Sequence, residues 1–309
     1  MAIKKVVVLC GGDGREREVS LRSGQAVYKA LNESGKFEAS VLDLQALTEI
    51  NKIKSFDGAF IAMHGDWGEG GVLQAKLEEL KIPYTGSGPK ASMLAMNKDK
   101  AQNLFAQNNI RTPENLIWPV KIDEVIAKLG PNVVVKPSSG GSTVGLSIIK
   151  GVTEEALTKA AYLANESYNS GVLIEKYIEG RELTAAVWEH EGKVEALPLI
   201  EIKPHEGFYD YTNKYTAGAT EYIVPAKLDP EIAKIISQMA VQAHKVLGCS
   251  CYSRSDFRLT PEGEAYILEV NTAPGMTATS LVPKAANAIG ITMPEFVSAV
   301  MSSASCGKD

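Results

Sequence analysis

Cysteine is scarce: Cys10, Cys249, Cys251 and Cys306 are scattered over 309 residues without any C-x-x-C spacing. That argues against a disulfide framework or a zinc site and leaves small buried or incidental thiols. An excess of positive charge is also missing, since 32 Lys and Arg face 37 Asp and Glu, a net charge of −5. With no global positive field, neither nucleic acid nor an anionic membrane is an expected partner. No apolar run approaches a membrane span, and Val6 to Cys10 is too short for a signal peptide, so a cytoplasmic location is expected. Two catalytic signatures are absent. Without G-x-x-x-x-G-K-[ST] a P-loop NTPase is excluded by motif, and without G-x-S-x-G there is no nucleophile elbow. Internal repeats and low-complexity tracts are lacking too.

What is present is an alternation of strand and helix patterns. Lys5 to Cys10 is a continuous β-rich run, as for a strand buried on both faces, and a helix is read from Ser20 through Leu31. Strands follow at Ala39–Asp43 and Gly58–Met63, which makes a parallel sheet with right-handed crossovers the economical fold. Pro83 to Pro89 is turn-rich, and the next helix is read from Asn97 to Gln107. A smaller unit contains strands at Asn132–Lys136, Leu146–Ile149 and Val172–Glu175, with a helix at Glu154–Ala164. The region from Gly180 onward carries several strands, a polar loop at 203–221, a helix from Pro230 to Leu247 and a last hairpin. The divisions predicted are 1–96, 97–178 and 179–309, in an α/β fold that is α+β in part.

The hairpin from Ser253 to Asn271 is the most informative segment. If Glu262-Gly263 is its two-residue turn, Asp256 faces Glu269 and Arg254 faces Asn271. Alternation then puts Arg254, Asp256, Arg258, Ile267, Glu269 and Asn271 on one face, and Ser255, Phe257, Leu259, Tyr266, Leu268 and Val270 on the other. Two carboxylates and an amide oxygen on one face suit Mg²⁺. A solvated face whose carboxylates pair with Arg254 and Arg258 has the same pattern, and spacing alone does not choose between them.

Three loops compete for an anion. Gly11-Gly12-Asp13-Gly14 lies between a strand and a helix, but the third glycine of a dinucleotide fingerprint falls at Arg17, so a dehydrogenase reading fails. The reading preferred there is a helix N-terminus whose backbone N–H groups receive a small carboxylate. Lys136 to Gly145 joins two strands, and its glycine-serine tip reads as a lid over phosphates or as an ordinary mobile turn. His64 to Gly71 sits at the carboxyl end of a strand, where open sheets bind ligands. His190, His205 and His244 look isolated and structural.

Several ordered blocks together resemble one family. They are Glu16-Arg17-Glu18-Val19-Ser20-Leu21, His64-Gly65 with Gly68-Glu69, Pro83 to Gly88, Val135-Lys136-Pro137 with Gly141-Ser142, and Phe208 to Tyr211 with Lys214-Tyr215. Glu269-Val270-Asn271-Thr272, Pro274 to Thr277 and Ser280-Leu281-Val282-Pro283 complete the set. The chain is identified by them as similar to the D-alanine–D-alanine ligases of the ATP-grasp superfamily, over nearly its whole length. The resemblance implies a three-domain ATP-grasp architecture whose N-terminal domain holds the parallel sheet, a homodimer, and a two-step reaction serving peptidoglycan synthesis. The carboxylate of one D-alanine takes the γ-phosphate of ATP; the amine of a second D-alanine then displaces phosphate.

By the same resemblance, Asp256, Glu269 and Asn271 hold two Mg²⁺ ions, with Mn²⁺ as a substitute, and Lys98, Lys136 and Lys214 neutralise the phosphates. Glu175 with the backbone of Lys176 and Ile178 forms the adenine hinge, and Glu182 meets the ribose. Glu16 takes the first D-alanine's ammonium and His64 lies near its carboxylate. Arg254 and the Gly275 N–H stabilise the tetrahedral intermediate, while Ser280 and the Leu281 N–H receive the second carboxylate. Glu16, Ser142 and Tyr215 form a trio that fastens the loops over the site. The lid departs from the family's usual Lys-Pro-x-Arg-Glu-Gly-Ser, with Ser139-Gly140 in place of the two charged residues; Asp13-Gly14-Arg15, Gly70 and Cys251-Tyr252-Ser253 are further departures. Another amino-acid ligase on the same scaffold, a depsipeptide ligase, and a module that senses ATP without turnover are the alternatives. The retained hairpin residues argue against the last, and Lys214-Tyr215 against the depsipeptide.

Overall fold

The computed structural model describes residues 4–12, 14, 16–141, 143–205 and 218–308. Its first sheet is parallel throughout. β1 (Lys5–Gly11) lies between β2 (Glu38–Leu44) and β3 (Gly58–Ile61), with α1 (Arg17–Glu33) as the first crossover. Val6, Val7, Val8 and Leu9 are all buried, which explains why β1 reads as an unbroken apolar run rather than an alternating one. Short helices α2 (Gly65–Glu69) and α3 (Val72–Leu80) follow β3.

Between the turn-rich Pro83–Pro89 and Asn97, where no element was expected, there is a further helix, α4 (Pro89–Met96), with Pro89 in its first turn. Proline is pre-set for that position, because the N–H it lacks would have no intrahelical partner there. Asn97 ends α4 and caps α5 (Lys98–Gln107), its side chain accepting from the Lys100 N–H. The chain therefore turns sharply there, which buries Lys98 at the head of α5.

The second sheet is antiparallel, in the order β4 (Asn115–Ile117), β7 (Val172–Lys176), β5 (Asn132–Pro137), β6 (Ser147–Lys150). It is backed by α6 (Ile122–Leu129) and α7 (Glu154–Tyr168), whose buried Val125, Leu129, Leu157 and Ala161 share a core with Val133, Val135 and Ile174.

The third sheet runs β11 (Thr220–Ile223), β10 (Ile200–Pro204), β8 (Arg181–His190), β12 (Tyr252–Leu259), β13 (Ala265–Asn271), with β9 (Lys193–Ala196) also on β8. Its two faces meet different helices. Leu183, Val187, Phe257 and Ile267 pack with Phe105 of α5 and Ile236 of α8 (Pro230–Val246). On the other face Ala186, Trp188 and Tyr252 pack with Val27 of α1 and with α9 (Leu281–Asn287) and α10 (Met293–Ser302). Along β12 that second face changes character after Tyr252, for Arg254, Asp256 and Arg258 follow on it. The core ends there and a polar floor begins.

The hairpin corrects the sequence reading in two places. Thr260 N–H donates to the Glu264 carbonyl and Gly263 N–H to the Thr260 carbonyl, so the loop is Pro261-Glu262-Gly263, one residue longer than expected. Gly263 takes φ +86°, which the end of a three-residue hairpin requires. Leu259 consequently pairs with Ala265, Arg258 with Tyr266 and Phe257 with Ile267, one residue out of the expected register. Ile267 is fully buried on the Phe257 face rather than beside Asp256. A bulge after Ile267 leaves Leu268 without an opposite partner, and beyond it Asp256 pairs with Glu269 and Arg254 with Asn271, as expected.

Candidate active site

Two cavities adjoin on the polar part of that sheet. The larger, 490 Å³, lies between the second and third sheets and is lined by Lys98, Lys136, Glu175, Lys176, Ile178, Glu182, Asp256 and Glu269, together with Gly140 and Gly141 of the loop. The smaller, 260 Å³, is lined by Glu16, His64, Asn271, Gly275, Ser280 and Leu281. Arg254 lines both. Ser142, Lys214 and Tyr215 lie outside the described residues.

In the larger cavity every described cation from the predicted set has a carboxylate partner. Lys136 Nζ is 2.7 Å from Glu175 Oε1, and both side chains are buried. Lys98 Nζ donates to the Gly140 carbonyl at 2.5 Å and is 3.3 Å from Glu269 Oε2. Arg254 grips Asp256 with two parallel bonds, Nε to Oδ1 at 2.9 Å and a terminal nitrogen to Oδ2 at 2.7 Å. Thr184 adds a 2.6 Å bond to Asp256 Oδ1. Arg258 reaches Glu182 at 3.4 Å and the Ile178 carbonyl at 3.2 Å. The alternative reading of the hairpin, in which its carboxylates pair with Arg254 and Arg258, is therefore only half met. Arg254 takes Asp256, but Arg258 turns across to β8.

These charges move the carboxyls in opposite directions. Burial by itself would raise Glu269, yet Lys98, Lys136 and Arg254 hold it down at about 2. Glu182 goes the other way: burial pushes it up to about 7, with Asp256 and Glu269 adding to the rise and Arg258 only partly opposing it.

A divalent cation fits the donor set on its chemistry. Asp256 and Glu269 are directly opposed across the ladder, and Asn271 is two residues on, on the same face. All three offer hard oxygen, and a carboxylate already holding one donor keeps further lone pairs. Among the described residues no three His, Cys, Asp or Glu side chains gather as a metal cluster, so the third donor here is the amide. Asn271 Oδ1 accepts from the Ala273 N–H at 2.9 Å, which fixes the amide's orientation.

The hinge residues are placed by the second sheet. Glu175 accepts from Gln102 Nε2 at 2.5 Å, and the same nitrogen donates to the carbonyl of bulge residue Leu268 at 3.1 Å. Lys176 N–H is given to the Glu114 carbonyl. Gln102, one turn along α5 from Lys98, escaped the sequence reading. The i, i+4 spacing on a helix already singled out is the signal that could have found it.

In the smaller cavity the His64 side chain is only 5% exposed. Its Nδ1 is 3.0 Å from the Ala273 carbonyl, which can only accept, so Nδ1 carries a proton. Its Nε2 shares a hydrogen bond with the Ser23 hydroxyl at 3.0 Å, and Ser23 Oγ receives the Met276 N–H at 3.4 Å. Ser23, from α1, was also missed; the partners it joins are over two hundred residues apart in sequence. Ser280 stands at the N-cap of α9, but its hydroxyl turns back to Thr277, 3.0 Å from the N–H and 2.8 Å from Oγ1. Arg22, Glu69, Tyr222, Thr277 and Thr279 are among its other lining residues.

The first glycine loop departs from expectation. Gly11 N–H donates to Ser20 Oγ and Gly12 N–H to the Leu44 carbonyl, so these amides serve the turn itself. Arg17 pairs with Asp43 at 2.7 Å. What this turn presents to the cavity is the side chain of Glu16. The Gly140-Gly141 loop comes close to it: a Cβ on Gly141 would lie 3.9 Å from Glu16 Oε2.

Comparison with known proteins agrees with this layout. A family model described as D-ala D-ala ligase C-terminus matches residues 107–302. The chain is 41% identical over 308 residues to D-alanine–D-alanine ligase of Bordetella avium, covering 98% of this chain and 95% of that one. The solved structure of D-alanine–D-alanine ligase from Bacillus anthracis superposes with a TM-score of 0.84 at 34% identity, covering 97% of each chain. The structure of that enzyme complexed with ATP gives 0.83 at 33% identity, covering 97% of this chain and 96% of that one.

Proposed function

Since this chain belongs to the D-alanine–D-alanine ligase family, ATP-dependent enzymes that supply a cell-wall precursor, we propose that its two cavities divide the reaction, ATP in the larger and the two D-alanines in the smaller. The observation that carries this is Arg254, which among the described residues is the one that lines both cavities.

In this reading Lys98 and Lys136, with Lys214, neutralise the phosphates, the adenine rests on the Glu175–Ile178 hinge and the ribose on Glu182. Asp256, Glu269 and Asn271 would hold two Mg²⁺ ions, with Mn²⁺ able to replace them; when bound, such ions spread the charge of the transferring phosphoryl group. Glu16 receives the ammonium of the first D-alanine and His64 lies beside its carboxylate, which acts as nucleophile toward the γ-phosphorus. The carboxylate oxygen forms the new bond and ADP leaves. The free amine of the second D-alanine, its own carboxylate on Ser280 and the Leu281 N–H, then attacks the acyl carbon. Oxyanion charge develops at Arg254 and the Gly275 N–H, the arrangement that lowers acyl-transfer barriers most. Collapse expels phosphate and leaves the dipeptide. Ser142, Tyr215 and Glu16 hold the loops together meanwhile, keeping water from the acyl phosphate.

The division at 1–96, 97–178 and 179–309 belongs to the same proposal, as do a homodimer, testable by light scattering, and a cytoplasmic location. Among the described residues no helix is long and apolar enough to cross a membrane. The decisive assay measures phosphate released from ATP with Mg²⁺. Release is expected with D-alanine and not with L-alanine; equal release with both, or none with either, would defeat the substrate assignment. Mixed-substrate assays with paired amino acids separate this reading from another amino-acid ligase.

A further inference from the structure

The loop over the larger cavity contains no charged side chain anywhere from Pro137 to Gly145, so ion pairs from its own residues cannot hold it. The contacts that do hold it continue the ladder between β5 and β7 beyond the ends of both strands. Pro137 pairs with Val172, the Ser138 N–H donates to the Gly171 carbonyl at 3.0 Å, and the Ser139 N–H donates to Ser170 Oγ at 3.0 Å. The next step brings Gly140 onto the ring of Tyr168, the last residue of α7.

That contact admits only glycine. Gly140 has φ +103°, and a Cβ there would lie 2.6 to 2.7 Å from Cε1, Cζ and Cε2 of the Tyr168 ring. Tyr168 also donates its hydroxyl to the Gly141 carbonyl at 3.3 Å. Lys98 Nζ also binds the Gly140 carbonyl, and the Lys98 N–H holds the Ser138 carbonyl at 2.8 Å. Gly140 thus touches an aromatic ring and is bonded to an ammonium that also lines the cavity.

We propose that Tyr168 is a positioning residue for ATP: its ring is the seat on which Gly140 rests, and this contact sets the height of the loop over the phosphates. The inference rests on the reading that ATP's phosphates lie beneath this loop. A flat ring with no charge gives the loop a firm stop, while Lys98 gives it a link to whatever anion occupies the cavity. Without the ring the loop loses its stop and the hydroxyl tie to Gly141, and ATP is the substrate that should be affected. D-alanine, bound from the other cavity, should be affected far less.

The test uses the full-length enzyme with Tyr168→Ala, Tyr168→Phe, Gly140→Ala and the double variant Gly140→Ala/Tyr168→Ala. KM is measured for ATP and for D-alanine separately, and binding of a fluorescent ADP analogue is titrated directly. Tyr168→Ala should raise KM for ATP about tenfold with KM for D-alanine within about twofold, whereas Tyr168→Phe, which keeps the seat, should stay near wild type. Gly140→Ala should harm ATP binding much less in the Tyr168→Ala background, because the obstructing ring is gone. Lys136→Ala serves as the reference for the cavity. If it fails to weaken the analogue, the phosphate placement itself is wrong. If it weakens the analogue and Tyr168→Ala does not, the seat is overturned. Should Tyr168→Ala not fold, Gly140→Ala alone decides, since unchanged analogue affinity in that variant refutes the contact.

Discussion

Replacing Glu269 with glutamine separates its charge from its shape. In the folded protein this carboxyl titrates near 2 instead of 4.5, because Lys98, Lys136 and Arg254 outweigh its burial. A group depressed in this way stabilises the folded state fully above its unfolded value, and that stabilisation fades as pH falls from about 4.5 toward 2. The depression corresponds to about 3 kcal/mol at neutral pH; since a third of the side chain faces the open cavity, screening reduces this to roughly 1–2 kcal/mol. Glu269→Gln should therefore lower stability by that amount at pH 7 in urea titrations with chelator present. The deficit should shrink steadily below pH 4.5. Lys98 is the cation most affected, for its other contact is a carbonyl. The same variant, monitored by the free Mn²⁺ signal in electron paramagnetic resonance with ADP present, should bind the ion at least about tenfold more weakly, as expected when an ion loses one of two carboxylates. A stability deficit that is equal at pH 7 and pH 3.5 would refute the electrostatic account. Unaltered Mn²⁺ binding would refute the ligand assignment.

Three other outcomes are expected. Ser23→Ala leaves the Nε2 of buried His64 without its hydroxyl, so stability should fall by about 1 kcal/mol and KM for D-alanine should rise several-fold while KM for ATP holds; the two KM values, measured separately, check it. Glu182 is raised toward 7, which means the folded state favours its protonated form: this contribution is complete below 4.5 and lost as pH rises through 7. Denaturant titrations between pH 5 and 8 should show that slope in wild type and lose it in Glu182→Gln. Deleting Leu268 takes out the unpaired residue and leaves Ile267 opposite Phe257 and Glu269 opposite Asp256, so Mn²⁺ binding should survive, as it should in Leu268→Ala. Loss of the ion in the deletion variant alone would show that the bulge itself aims Glu269 and Asn271.

How much of this was legible in the sequence depends on the range of the contact concerned. The parallel sheet was readable because β1 carries its burial in its own composition, and the two strands of the last hairpin were readable from alternation. The hairpin shows the limit. Alternation reports which residues share a face only once the offset is known, and Glu262-Gly263 supplied an offset wrong by one. The facing of Asp256 to Glu269 was nevertheless as expected, since the bulge at Leu268 restores the register lost at the turn. Near the turn, where nothing compensates, Tyr266 and Ile267 were assigned to the wrong faces. Ser23 and Tyr168 were invisible for another reason: each acts on a segment that is not its neighbour in sequence, and no local pattern marks such a contact, whereas Gln102 lay within reach of the i, i+4 spacing from Lys98.

The ion pairs around the larger cavity are unlike one another, and the difference bears on which of them can change partners when a polyanion enters. Lys136 and Glu175 are both buried, and Gln102 ties Glu175 to the Leu268 carbonyl as well, so breaking this pair would strand a charge away from water. Lys98 is different. Its carboxylate partner is at 3.3 Å and a third exposed, and its shortest bond is to the loop. Phosphate can therefore replace Glu269 at Lys98 at little desolvation cost, and in doing so releases Glu269 for another positive partner. Arg254 and Asp256 form the better-matched pair, with two parallel bonds, and Thr184 gives Asp256 a second anchor. Arg254 is thus held beside a fixed carboxylate while lining both cavities. A cation kept at that boundary suits the proposed reaction, whose anionic reactant changes from phosphate to a tetrahedral oxyanion between one step and the next.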